Sequence, residues 1–87
     1  MILRKFKVSG HSMQPYLHEG QYVLVATFLG FKMGDVVVFK QSSKVFIKRI
    51  TKVNKDTYLV EGDNKNDSLH IGKILKRDII GKVIFKI

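Results

Sequence analysis

The chain contains no cysteine, which rules out disulfides, thiolate metal sites and a cysteine nucleophile in one step. It has a single proline, at position 15, and acidic residues are scarce, 7 against 16 lysines and arginines. No apolar stretch approaches the ~20 residues that span a bilayer, and the opening Met1-Ile2-Leu3-Arg4-Lys5 lacks the apolar middle of a signal peptide. No repeat, linker or low-complexity tract interrupts it. Three scattered histidines without cysteine imply no metal or organic cofactor.

What is present is enough for one folded unit. Eighty-seven residues fit one domain, 1–87, near the lower size limit of a single core. With 45% hydrophobic residues the composition is globular rather than disordered. The formal charge of +9 raises nucleic acid, anionic membrane and acidic substrates as partners. Its basic residues are spread out, with no run of five and no aromatic interleaving, so no specific nucleic-acid site is expected; weak contact with an anionic membrane surface stays open.

Apolar residues recur with a period near 2, in runs dense with Val, Ile and Phe, and predict an all-β domain. The expected strands are Leu3–Val8, Tyr22–Phe28, Asp35–Lys40, Val45–Val53, Thr57–Glu61 and Ile80–Ile87, each bounded by turn signals such as Met33-Gly34-Asp35 and Asn54-Lys55-Asp56. Ser12–Leu17 reads as a loop or one helical turn. Asp67–Arg77 reads as a short helix capped by Asp67 or Ser68. Six short strands in this length predict a small coiled sheet or partly open barrel.

Without cysteine, a hydrolytic nucleophile has to be Ser or Thr, activated by a neighbouring His, Lys or carboxylate. His11 adjoins Ser12, but neighbours on an extended chain point to opposite sides. His18 and His70 stay open as bases or as ordinary loop histidines. Alternation places Lys48 on one strand face with Phe46 and Ile50, and Arg49 on the other with Val45, Ile47 and Thr51. For Lys48 to act as a base near neutrality its pKa must fall by about 3 from ~10.4, equivalent to roughly 4 kcal/mol. Periodicity alone favours the alternative, in which Lys48 snorkels to the surface.

The order of short motifs resembles the catalytic core of type I signal peptidases. Val8-Ser9-Gly10-His11-Ser12-Met13-Gln14-Pro15-Tyr16-Leu17 is similar to the family's nucleophile box, and Glu19–Val25 to the strand after it. Gly34-Asp35-Val36-Val37-Val38-Phe39 is similar to the next box and Phe46-Ile47-Lys48-Arg49-Ile50 to the base-bearing strand. Gly62-Asp63-Asn64 followed by Ser68 resembles the last box, and Ile79–Val83 the closing strand. The resemblance covers almost the whole chain.

It implies a serine endopeptidase with a signal-peptidase-like fold, Ser12 as nucleophile and Lys48 as general base, removing an N-terminal leader after small residues. It further implies that Ser68 orients the lysine amine, that the Ser12 backbone N–H stabilises the oxyanion, and that Arg49 and Asp63 pair to hold the last box to the base strand. Phe6, Val8, Met13, Leu17, Phe46 and Ile47 would line apolar pockets, or serve as plain core. The polypeptide substrate would add as an extended strand between Phe6–Val8 and Phe46–Lys48.

Three positions depart from the family pattern. Gly10 removes a side-chain hydroxyl that some members add to the oxyanion hole, Tyr16 stands where Thr is usual, and His70 falls about where an aspartate is expected. With 13 residues between Lys48 and Gly62, no inserted second domain is expected. As it stands the chain reads as a soluble cytoplasmic peptidase, similar to those thought to mature nickel superoxide dismutase; as a fragment of an anchored peptidase it would be membrane-associated. Two alternatives are a LexA-like self-cleaving Ser–Lys domain, disfavoured because no Ala-Gly or Cys-Gly pair precedes Ser12, and a non-enzymatic basic β-barrel that binds nucleic acid or anionic membrane.

Overall fold

A computed structural model describes residues 2–27, 30–66 and 72–87. Among them run seven strands: β1 (Leu3–Lys7), β2 (Tyr22–Ala26), β3 (Val36–Gln41), β4 (Lys44–Asn54), β5 (Thr57–Glu61), β6 (Gly72–Leu75) and β7 (Ile79–Lys86). They form one antiparallel sheet in the order β1-β2-β7-β3-β4-β5-β6. The two end strands do not pair with each other, so the sheet is all-β and open rather than a closed barrel.

The centre of the sheet is β3, whose Val36-Val37-Val38-Phe39 run is buried throughout. Val36 and Val38 join one apolar cluster with Val8, Met13, Leu17, Val23 and Val25. Val37 and Phe39 join a second with Ile50, Tyr58, Val60 and Ile74. Because side chains alternate across a strand, the two clusters lie on opposite faces of β3, which is why this run is continuously apolar rather than alternating.

Two tight hairpins set the register on one side. Gln41 pairs with Lys44 across Ser42-Ser43, both at positive φ (53° and 67°), and Asn54 pairs with Thr57 across Lys55-Asp56. Register shifts at Leu24/Val25, Val38/Phe39 and Ile50/Lys52 mark bulges, which add local twist.

One expected element is corrected. Where the sequence reading placed a helix over Asp67–Arg77, the described part holds β6, which pairs with β5 from Thr57↔Leu75 to Val60↔Gly72, and then a 3-10 turn at Lys76–Asp78. The apolar spacing of Ile71, Ile74 and Leu75 imitates one turn of helix. Pairing wins because it sets Ile74 opposite Tyr58 in the second cluster, almost fully buried, while Lys73 points outward. The sheet therefore has seven strands where about six were expected.

Candidate active site

Residues 8–21 leave β1, loop over the first cluster and return to β2. Val8 anchors the departure: its N–H donates to the Gln21 carbonyl (2.8 Å) and its carbonyl accepts from Gly20 N–H (2.9 Å). Gly10, at φ 85°, then turns the chain in a conformation that a side chain would strain. Leu17 N–H donates to the Met13 carbonyl (2.9 Å), closing a tight turn that contains a cis Gln14–Pro15 bond. Met13 and Leu17 are buried in the first cluster, so the turn carrying Ser12 is pinned from below. Ser12 itself stays partly exposed.

The segment after β5 pins the same loop from the side. Asn64 donates its backbone N–H to the Ser12 carbonyl (2.8 Å) and its side-chain Nδ2 to the His11 carbonyl (3.0 Å). His11 faces away, its Nδ1 2.8 Å from Gln14 Nε2 and its Nε2 3.4 Å from Glu19 Oε1. His18 is exposed and lies outside the cleft described below. His70 and Ser68 lie outside the described residues.

Lys48 sits in β4 opposite Val37, with Phe46 and Ile50 as neighbours on its own face, and is 4% exposed. The snorkelling favoured by periodicity does not occur. Burial of this depth disfavours a charged ammonium. Its neighbour Arg49 points the other way and is only partly buried. The guanidinium donates from Nε and Nη2 to the two oxygens of Asp63 (both 2.8 Å) and from Nη1 to the Gly34 carbonyl (2.8 Å). Those hydrogen bonds to Asp63 hold the Arg49 proton more firmly than usual, against an opposing effect of burial, so Arg49 keeps its positive charge. Tyr16 lies between two cations, 4.9 Å from the Arg49 guanidinium and 4.4 Å from Lys86 Nζ. Its ring thus ties the loop to β4 instead of shaping the cleft.

Ser12 and Lys48 line one cleft of about 310 Å³. Phe6, Val8 and Met13 form one side of it and Phe46 and Ile47 the other, with Lys7, Ser9, Gly10 and Val45 completing the lining. Five of the six expected pocket residues are therefore there. Leu17 is not; it is wholly buried in the core beneath the loop. Among the described residues β5 pairs with β4 only from Arg49 onward, and β1 pairs only with β2. Each wall of the cleft thus offers a strand edge that no described strand covers.

Asn64 was not singled out from the sequence, although it stands in the Gly62-Asp63-Asn64 motif. Its two bonds span more than fifty residues of chain, and no local pattern carries that information. The described residues contain no cluster of three or more metal-ligating side chains. A buried lysine and a partly exposed serine in one apolar cleft have the makings of nucleophilic chemistry on a carbonyl. A protein-family model described as Peptidase S24-like matches residues 4–84. No curated protein matches the chain.

Proposed function

The chain belongs to the Peptidase S24-like family, and we propose that it is a Ser–Lys endopeptidase that removes a leader segment from its substrate after small residues, with Ser12 as nucleophile and Lys48 as base. Serine-peptidase chemistry is the family's kind of function. The observation that carries the residue assignment is that Ser12 and Lys48 line the same cleft, with Lys48 buried.

In this mechanism neutral Lys48 accepts the Ser12 hydroxyl proton as Oγ attacks the scissile carbonyl carbon. The oxyanion is met by the Ser12 backbone N–H. As the intermediate collapses, the C–N bond breaks and Lys48 returns the proton to the leaving amine. Water, deprotonated by Lys48, then attacks the acyl-serine ester, and its collapse frees the new carboxyl end and restores Ser12. The substrate lies as an extended strand between the edges of β1 and β4, with side chains before the bond set into the shallow pocket between Phe6, Val8, Phe46 and Ile47.

The test is incubation at pH 7 to 9 with peptides carrying small residues one and three positions before a candidate bond, read by mass spectrometry for wild type, Ser12→Ala and Lys48→Met. Each substitution is expected to lower turnover by roughly a thousandfold or more while circular dichroism stays native. Cleavage that survives Ser12→Ala would sink the assignment. The family also takes in LexA-like self-cleaving domains, which favours one second reading. In that case the protein itself would lose mass at a rate independent of its concentration, and only with Ser12 intact.

A further inference from the structure

The charges around the cleft are all of one sign along the walls that lead to Ser12 and Lys48. On β1 the side chains of Arg4, Phe6 and Val8 share a face, and the Arg4 guanidinium lies 5.0 Å from the centre of the Phe6 ring, which lines the cleft. On β4, alternation puts exposed Lys44 on the face of Phe46 and Lys48. Lys5 and Lys7 are excluded from this set, because they turn to the opposite face, with their ammonium groups 4.8 and 6.0 Å from the centre of the Tyr22 ring.

No acidic residue is found among the described residues lining the cleft. Glu19 borders a neighbouring hollow beside Ser9, where it is engaged by His11 and the Gly10 N–H. Val8 adjoins the Ser12 loop and Lys48 ends the other wall. Arg4 and Lys44 therefore stand four residues from the reacting end on each wall, about 13 Å at ~3.3 Å per residue. An extended substrate segment would reach them with its fourth and fifth side chains before the bond.

We propose that this cleft selects substrates carrying Asp or Glu four to five positions before the scissile bond, recognised by Arg4 and Lys44. The inference rests on the peptidase reading for the direction of the bound strand. Exposed pairs of this kind are individually weak and act additively, so the expected preference for Glu over Lys at both positions is roughly tenfold, and screening should remove most of it at high salt.

Peptides with fixed small residues one and three positions before the bond, and Glu, Gln or Lys at the fourth and fifth, test it in two ways. Binding to the Ser12→Ala protein is read by fluorescence anisotropy, and kcat/KM is read with the wild type. Expected is the order Glu, Gln, Lys by both readouts, collapsing to within about twofold at 500 mM NaCl and in an Arg4→Gln, Lys44→Gln double variant. Equal handling of the three peptides, a preference for Lys, or a Glu preference that survives the double variant would overturn it. Selective binding without cleavage would leave the charge selection standing and remove the peptidase reading. Cleavage without selection would do the reverse, and neither binding nor cleavage of any peptide would remove both.

Discussion

Asn64 illustrates how much of a nucleophile's placement comes from residues that do not react. Its Nδ2 and backbone N–H hold consecutive carbonyls, those of His11 and Ser12, and so fix where the Ser12 side chain emerges. Asn64→Ala removes the Nδ2 bond while keeping the backbone one. The expected cost is about 1 kcal/mol in stability and roughly tenfold in kcat with KM little changed, since a misplaced nucleophile affects the chemical step more than binding. Equal kcat for Asn64→Ala and wild type, measured well below the melting temperature, would mean that the clamp serves folding alone. Lys48 shows the limit of local pattern at the same scale. Alternation assigned its face correctly beside Phe46 and Ile50, but whether a lysine on that face reaches water depends on what lies above it, and its 4% exposure is a property of the assembled cleft.

Among the elements, β4 does two things along its eleven residues. Its second half pairs with β5, while its first half is paired by described strands only with β3 and forms a wall of the cleft, the two ladders overlapping at Arg49. The division falls at Lys48 and Arg49, one facing the cleft and the other the Asp63 carboxylate. β7 depends on a close approach at Gly81. A Cβ there would meet the Ala26 carbonyl oxygen and lie 2.7 Å from Val25 Cγ1, so β7 could not keep its place against β2. Gly81→Ala is expected to destabilise the protein by about 3 kcal/mol, as overpacking against backbone does; an unchanged urea midpoint would show that the two strands can separate freely. The sequence motif Ile79–Val83 located this strand without revealing why glycine stands in it. Contact with β2, more than fifty residues earlier, supplies the reason.

For the molecule as a whole, Arg49 is the junction. It joins β4 to Asp63 after β5, to the Gly34 carbonyl before β3, and to the Tyr16 ring of the nucleophile loop. Asp63→Asn removes the charge and one acceptor from a pair that is only partly buried, so the expected loss is about 1–2 kcal/mol rather than that of a fully buried ion pair. Denaturant unfolding and peptide turnover would both decline; if neither changes, the pair does not hold the last motif to the base strand.

The sequence by itself determined the all-β class and most of the strands, because alternation and turn residues are local and each strand had to bury one face or two. It also brought Ser12, Lys48, Arg49 and Asp63 into view through motif order. Only the tertiary structure decided that Gly72–Leu75 pairs as a strand, that Leu17 is core while Phe6 and Ile47 line a cleft, and that Asn64 clamps Ser12. In each case the deciding energy is a contact between distant parts of the chain, an Ile74 against Tyr58 or a carbonyl against an amide, and such contacts leave no period in the sequence to be read.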